Sequence, residues 1–162
     1  MLKDRSLSKM YDVCSAEGSF IPIQKDDLKK IKTMLSIAIV DYESVKVWKN
    51  GADKKGNQWN AIYKLYYDIL HQLIEAFVRL DKVKARVHEC LFAYICFKHP
   101  ELELSWEFFE KIRTKRNGSL YYGSLINYSD WKEIEFQMEL YVGVFIKELK
   151  GRLRSNLSAF FF

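Results

Sequence analysis

The spacing of apolar residues between positions 58 and 80 constrains this chain more than any other feature. One row recurs at alternating steps of three and four residues: Trp59, Ile62, Tyr66, Ile69, Leu73, Ala76 and Leu80. Such spacing places side chains on one face of an α-helix. Tyr63, Leu70 and Phe77 add a flanking row, so the apolar face is wide. A wide face is typical of a helix with several neighbours, and we assign its aromatic residues to the core.

Further helices are predicted over 25–49, 83–97, 102–117 and 130–154, which carry apolar residues at similar spacing. The last of these opens with Asp130 and Glu133, at the spacing of a capping box. No stretch alternates as a half-buried strand does, and no internal repeat is present. One alternative stays open, in which 83–97 and 102–117 form a single helix kinked at His99 and Pro100.

These segments predict an all-α fold, an up-and-down antiparallel four-helix bundle with an additional short helix. The length of 162 residues suits one such domain. We place the bundle at residues 24–155, after an N-terminal arm (1–23) that shows no clear period. Residues 156–162 form an aromatic tail. Its three phenylalanines are expected to dock on the body or on a second subunit, because terminal aromatic rings are unfavourable in water.

Composition excludes several classes of protein. With 7 Gly, 2 Pro and 15% aromatic residues, the chain is neither collagen-like nor disordered. Cys14, Cys90 and Cys96 are too few for a disulfide scaffold, so we expect buried thiols and a reducing, cytoplasmic location. No apolar run approaches the roughly 18 residues that a membrane span needs, and no signal peptide is recognised. No membrane association is therefore expected.

The formal net charge is +5, and two interpretations of the basic residues stay open. They cluster in three places: Arg79, Lys82, Lys84 and Arg86; Lys111, Arg113, Lys115 and Arg116; and Lys147, Lys150, Arg152 and Arg154. Cations near the C-terminal ends of helices complement the helix macrodipole. Alternatively, the clusters form a surface that binds the phosphates of a nucleotide or nucleic acid.

Arg116 is the most informative residue, because it continues the apolar row of Phe109 and Ile112. Its guanidinium is therefore predicted to face the core at the last turn of its helix. An inward arginine needs a partner. That partner is either a carboxylate or carbonyls that close the bundle, or the phosphate or ribose of a ligand. The predicted phosphate-binding residues are Arg113, Arg116, Asn117, Tyr121 and Tyr122.

Two segments resemble a known family. They are NAIYKLYYDILHQLIEAFVRLDKVKARVHECLFAYI at 60–95 and IRTKRNGSLYYG at 112–123. With them, residues 25–154 resemble the HEPN domain (higher eukaryotes and prokaryotes nucleotide-binding). The resemblance implies an up-and-down helical bundle that forms homodimers. It also implies either a metal-independent endoribonuclease, often a toxin paired with a minimal nucleotidyltransferase, or a noncatalytic binding module.

The chain departs from the family's ribonuclease motif, in which an arginine is followed after four to six residues by a histidine. Arg116 and Asn117 match the start, but Tyr121, Tyr122 and Gly123 stand where the histidine would. A phenol with a pKa of about 10 is a weak base at neutral pH, whereas an imidazole with a pKa of about 6.5 exchanges protons there. The resemblance therefore implies binding of a nucleotide or RNA rather than cleavage.

The histidines and cysteines show no metal-binding pattern. His88 and Cys90 are two residues apart, so they point to different sides of a helix. No glycine-rich phosphate loop or catalytic triad order is recognised, and neither a metal nor a cofactor is predicted. His71, His88 and His99 are interpreted as structural, and the resemblance gives His88 an architectural role near a helix start.

Three functions stay open. The first is a noncatalytic homodimer that binds nucleotide, RNA or a partner protein, with Arg116, Asn117 and Tyr121 near a shared cleft. The second is an endoribonuclease in which Tyr121 replaces the histidine and Arg116 stabilises developing charge. The third is a structural interaction protein that uses a helix face and the phenylalanine tail.

Overall fold

The structure, a computed structural model, describes residues 6–25 and 27–159. These residues form six helices: α1 (Leu7–Ala16), α2 (Leu28–Gly51), α3 (Trp59–Leu80), α4 (His88–Lys98), α5 (Trp106–Tyr122) and α6 (Tyr128–Ala159). Two short strands, β1 (Phe20–Pro22) and β2 (Val83–Ala85), pair antiparallel. The predicted all-α helical bundle is confirmed. The predicted docking of Phe160, Phe161 and Phe162 lies outside the described residues.

Helix α3 is the centre of the bundle and packs against α2, α4, α5 and α6. Its two predicted apolar rows are buried apart from Leu80, which is partly buried, and Tyr63, Tyr66 and Phe77 are each at most 1% exposed. The assignment of these aromatic residues to the core is therefore confirmed. Full burial of one such side chain contributes on the order of 2 kcal/mol of hydrophobic free energy. The width of the apolar face follows from the number of helices that cover it.

Residues 83–87 are not helical, which corrects the prediction of a helix over 83–97. Lys82 takes the left-handed conformation, with φ of 61°, and turns the chain directly after α3. The next three residues pair with β1, in a register that places Phe20 opposite Ala85. Only at His88 does α4 begin. The strand depends on a partner near the N-terminus, which the local spacing of Val83 and Val87 does not reveal.

Helix α1 fastens the N-terminal arm to α4. Cys14 of α1 is buried and forms a disulfide with Cys90 of α4. The prediction of buried thiols is therefore wrong for these two cysteines, because a pair separated by 76 positions leaves no mark in local spacing. The prediction is confirmed for Cys96, which is buried and free. Burial raises the pKa of the Cys96 thiol to about 12.

Helices α4 and α5 are separate, so the alternative of one kinked helix is wrong. A short 3-10 turn (Pro100–Leu102) follows α4, and Glu103 then takes a left-handed φ of 52°. The hydroxyl of Ser105 caps the start of α5 and accepts a hydrogen bond from the N–H of Phe108 at 3.1 Å. This break sends α5 back along α4.

The connection predicted over 117–129 is shorter than expected, because α5 continues to Tyr122 and ends at Gly123, with φ of 65°. Its last turns contain residues of low helix propensity. Tertiary contact compensates, since the Ser119 hydroxyl donates to Asn60 Oδ1 at 2.6 Å. Helix α6 is capped by Asn127 and Asp130, which accept each other's backbone N–H at 2.9 and 3.0 Å. The capping pair therefore lies three residues before the predicted one.

Candidate functional site

A cleft of about 410 Å³ opens where the start of α4 meets the second half of α5. Its lining residues are Arg86, Val87, His88, Glu89, Arg113, Arg116, Asn117 and Tyr121. Four of the five predicted phosphate-binding residues are therefore brought together. The exception is Tyr122, which is 83% exposed and is not among the lining residues.

Arg116 faces inward, as the helical spacing predicts, and its side chain is 22% exposed. The guanidinium lies over the ring of Tyr67, with 5.0 Å from its central carbon to the ring centroid. Its Nη2 is 3.7 Å from Asp68 Oδ1, an ion pair too long to be a hydrogen bond. Its Nε is buried and has no hydrogen-bond partner. Arg116 therefore lines the cleft with a guanidinium whose partners within the protein are incomplete.

Arg113, in contrast, is neutralised within the protein. Its Nε and Nη2 donate to the two carboxylate oxygens of Glu110, each at 3.1 Å. A second carboxylate, that of Glu89, lies 3.6 Å from Nη2. Paired donors of this kind hold the guanidinium plane in one orientation. Arg113 thus contributes a fixed wall to the cleft, while Arg116 contributes unused hydrogen-bonding capacity.

The other members of the basic cluster at 111–116 do not serve the end of a helix. The cluster lies inside α5, which runs on to Tyr122, so the macrodipole interpretation is wrong for it. Lys111 pairs with Glu133 at 3.1 Å and Lys115 pairs with Asp130 at 2.9 Å, both toward α6. The cluster is thus divided, and its two arginines belong to the cleft.

His88 supplies the cleft with an imidazole that the sequence motif lacks. Its Nδ1 is 2.9 Å from the hydroxyl of Tyr67, and its ring centroid is 3.8 Å from that of His71. Burial, reinforced by the nearby charge of Arg116, lowers the pKa of His88. Burial lowers the pKa of His71 to about 3, with further contributions from His88 and Arg116. Both imidazoles are therefore neutral at pH 7.

The interpretation of His88 as architectural misses this placement. His88 and Arg116 are brought together only by the packing of α4 against α5, which no local motif records. One signal could have indicated it: Tyr67 and His71 are four residues apart on α3, so they share a face. These two residues place polar groups on one face of α3, which is otherwise apolar. The row that ends in Arg116 lies on α5, which packs against α3.

His99 has a structural position, as predicted. Its Nε2 lies 2.6 Å from Asp81 Oδ2 and its Nδ1 lies 2.7 Å from Glu101 Oε1. The hydroxyl of Tyr94 also donates to Asp81, at 3.1 Å. These bonds join the end of α3 to the end of α4 and occupy both imidazole nitrogens. They leave His99 no free nitrogen for a ligand.

A second polar cluster lies among α2, α3 and α6 around Glu139. This carboxylate accepts hydrogen bonds from the hydroxyl of Tyr42, from the hydroxyl of Tyr66 at 2.5 Å and from Lys49 Nζ at 2.9 Å. Burial opposes its ionisation, but the bonds from Lys49 and the tyrosines outweigh burial and lower its pKa. Lys49 also pairs with Glu135 at 3.4 Å. The cluster satisfies its own charges.

No protein-family model, curated protein or solved structure matches the chain. The HEPN domain therefore stays a resemblance that rests on the residues quoted above. Over the part of the chain that the structure describes, no three His, Cys, Asp or Glu side chains converge as a metal site requires. In the same part, no helix is both long and apolar enough to cross a lipid bilayer.

Proposed function

We propose that the cleft beside Arg116 binds a phosphate group of a nucleotide or of RNA. The observation that carries this proposal is that Arg116 lines the cleft with only a long ion pair to Asp68, 3.7 Å, while its buried Nε is a donor without an acceptor. Burying a donor without an acceptor is unfavourable, and most buried polar groups in proteins are satisfied. Among the described residues, Arg79 Nε is the other such atom, and Arg79 pairs with Glu75 at 3.4 Å.

The charges around the cleft support an anionic ligand. Arg113 is matched by Glu110 and Glu89, so it adds little free positive charge. Arg116 has one carboxylate at ion-pair distance, that of Asp68, whose side chain is 57% exposed. An exposed carboxylate gives up a long ion pair at little cost, because surface pairs contribute about 0–1 kcal/mol. A phosphate that displaces Asp68 gains a charge-assisted contact with Arg116.

The test compares two variants that remove one positive charge each from neighbouring positions of α5. Arg116→Met removes the cleft guanidinium, and Lys115→Met removes the ammonium that pairs with Asp130. The probe is a fluorescein-labelled 2′-O-methyl oligouridine, read by anisotropy. We expect Arg116→Met to weaken binding at least about tenfold, as for a charge-assisted contact, and Lys115→Met to change it little. Equal losses would mean that net charge alone attracts the strand.

A second candidate function, metal-independent RNA cleavage, is favoured by one observation: His88 lies in the same cleft as Arg116. The motif itself offers only tyrosines as bases, but the fold supplies the imidazole of His88 from α4. With its proton on Nδ1, donated to the Tyr67 oxygen, the neutral ring presents a lone pair on Nε2. A neutral imidazole of this kind can act as a general base.

In this candidate reaction, His88 Nε2 takes the proton of a ribose 2′-hydroxyl. The 2′-oxygen then forms a bond to phosphorus, and the bond from phosphorus to the 5′-oxygen breaks. The leaving oxygen takes a proton from water, and the products are a 2′,3′-cyclic phosphate and a 5′-hydroxyl. Arg116 stabilises the charge on the phosphate oxygens as the bonds change.

The cleavage candidate is tested with oligouridine in EDTA. Wild type should cut it to a cyclic phosphate, and His88→Gln should lose cleavage while keeping the affinity for the 2′-O-methyl strand. Tyr67→Phe should lower the rate less, because it removes only the hydroxyl that orients the imidazole. A wild-type protein that binds the strand and leaves RNA intact would reject cleavage and retain the binding proposal.

From the resemblance we also propose that the chain is a homodimer that pairs with a minimal nucleotidyltransferase. The predicted cytoplasmic location rests on free thiols, and the Cys14–Cys90 disulfide removes that ground. The exposed apolar residues Val40, Val47 and Phe136, which are 60%, 75% and 83% exposed, are available for such contacts. Light scattering of the purified full chain measures its mass in solution. A mass of 19.3 kDa across the concentration range would reject the homodimer.

A further inference from the structure

Two adjacent tyrosines extend from the end of α5 into solvent beside the cleft. Tyr121 is 73% exposed and lines the cleft, and Tyr122 is 83% exposed. Exposed aromatic rings are unusual for a structural role, because they gain nothing from burial. Gly123 ends the helix directly after them, with a φ of 65°. The two rings therefore stand on the last turn, with space around them.

The position of the rings relative to Arg116 suits a nucleotide chain. Tyr121 follows Arg116 by five residues on the same helix, and both residues contribute to the cleft. Tyr121 lines the cleft, and Tyr122, about 100° farther round the helix, is exposed beside it without lining it. A phosphate held at Arg116 thus has one aromatic ring in the same cleft and a second ring on the adjacent residue.

We propose that Tyr121 and Tyr122 are stacking surfaces for the bases of an unpaired nucleic acid strand whose phosphate lies at Arg116. The proposal rests on the proposed phosphate binding and specifies its ligand as a single strand. Single-stranded nucleic acids are bound by combining positive charge on the backbone with aromatic rings under the bases. In a duplex the faces of each base are covered by the stacked neighbouring base pairs, so a duplex cannot use the two tyrosines. A mononucleotide has one base and can use only one of them.

The neighbouring leucines offer a different explanation. Leu120 and Leu125 are 46% and 60% exposed, and together with the tyrosines they would suit an apolar protein surface. The cations favour the nucleic acid: Arg86 and Arg116 line the cleft that Tyr121 also lines, and Leu125 is outside it. Leu125→Ala is thus the matched control, an exposed apolar residue removed near the tyrosines without touching the cleft.

The experiment measures anisotropy of fluorescein-labelled 2′-O-methyl oligouridine, its deoxy equivalent and the same strand annealed to its complement. Uridine monophosphate is tested as a competitor. We expect Tyr121→Ala to weaken single-strand binding about tenfold and Tyr122→Ala somewhat less, as base stacking on aromatic side chains does elsewhere. Tyr121→Phe keeps the ring and should bind as wild type does. Leu125→Ala should also bind as wild type does, and the duplex should bind more weakly.

The outcomes separate this inference from the function on which it rests. If Arg116→Met loses binding and Tyr121→Ala does not, stacking is wrong and phosphate binding stands. If the wild type binds no strand at all, both are wrong. If Leu125→Ala weakens binding as much as Tyr121→Ala, the patch is an apolar docking surface. If Tyr121→Ala alone weakens binding, and weakens it equally for the strand and for uridine monophosphate, the ligand is a mononucleotide and the strand proposal is overturned.

Discussion

Tyr66 and Tyr67 are neighbours on α3, yet their hydroxyls belong to two polar clusters of different character. Tyr66 donates to Glu139, which also accepts from Tyr42 and Lys49. The hydroxyl of Tyr67 is hydrogen-bonded to His88, and its ring packs under the guanidinium of Arg116. The Glu139 cluster completes its hydrogen bonds within the protein. The Arg116 cleft leaves a buried donor unused.

The difference separates polar groups that stabilise the fold from polar groups that are available to a ligand. A buried charge with several hydrogen-bond partners loses much when one partner is removed. An arginine with one long ion pair and an unsatisfied donor loses little, and removing it also removes the cost of that donor. We therefore expect substitutions in the first cluster to change stability and substitutions in the second to change binding.

The largest expected loss of stability comes from opening the disulfide between α1 and α4, the helix that carries His88. Replacing both Cys14 and Cys90 with serine opens a cross-link over 76 positions. In the chain-entropy account, a loop of that length is worth about 4 kcal/mol of unfolding free energy. Urea denaturation of the double variant measures the loss. Cys96→Ser, which leaves the disulfide intact, is the control, and an equal loss in both would argue against the cross-link.

The next largest loss of stability is expected when the carboxylate at the centre of the Glu139 cluster is removed. Glu139→Gln keeps the shape of the side chain but leaves Lys49 and two tyrosine hydroxyls without the carboxylate. We expect a loss of about 2 to 3 kcal/mol in unfolding free energy, typical of hydrogen bonds to a charged, partly buried group. Urea denaturation at pH 7 measures it. A change below about 0.5 kcal/mol, the usual range for a surface substitution, would show that the cluster contributes little.

Acidification acts on His71, which packs against His88 of the cleft, before it acts on Glu139. The folded protein holds His71 neutral down to about pH 3, whereas an unfolded histidine binds a proton below about pH 6.5. The unfolded state therefore binds more protons, and stability falls as pH falls through that window. His88 acts in the same direction. Carboxylates with lowered pKa values, such as Glu139, lose their contribution only at lower pH.

Between pH 7 and pH 5, one buried imidazole that stays neutral lowers the free energy of unfolding by roughly 2 kcal/mol, because the unfolded histidine gains a proton. Urea denaturation at the two pH values measures the loss. His71→Gln has no imidazole at that position, so it should lose less stability than wild type over the same range. Identical losses in the two proteins would mean that His71 titrates in the folded state as it does in the unfolded chain.

The smallest expected effect on stability is that of Arg116→Met. The substitution removes an unsatisfied donor and a 3.7 Å ion pair and keeps an apolar stem over Tyr67. The change in unfolding free energy should be within about 1 kcal/mol, because the pair is long and its Asp68 partner is exposed to water. A loss as large as that of Glu139→Gln would place Arg116 among the residues that hold the fold together, and the contrast between the clusters would fail.

The sequence predicts the helices better than it predicts the cleft. The apolar rows of α3 and the inward position of Arg116 follow from local spacing, and the structure confirms both. Strand β2 and the disulfide depend on partners near the N-terminus, so no local pattern contains them. The same limit explains His88, whose place in the cleft is fixed by packing between helices. The ribonuclease motif places its histidine after the arginine, whereas His88 precedes Arg116 in the chain.

The central claim is that the cleft at Arg116 binds phosphate, whereas the Glu139 cluster only stabilises the fold. It is tested most directly by measuring the affinity of two variants. The dissociation constant for 2′-O-methyl oligouridine is determined at pH 7 for wild type, Arg116→Met and Glu139→Gln. The temperature is kept below the one at which each protein begins to unfold. We expect Arg116→Met to lose at least about tenfold in affinity, and Glu139→Gln to bind as wild type does. If Arg116→Met binds as tightly as wild type, the cleft is not the phosphate site and the account is wrong.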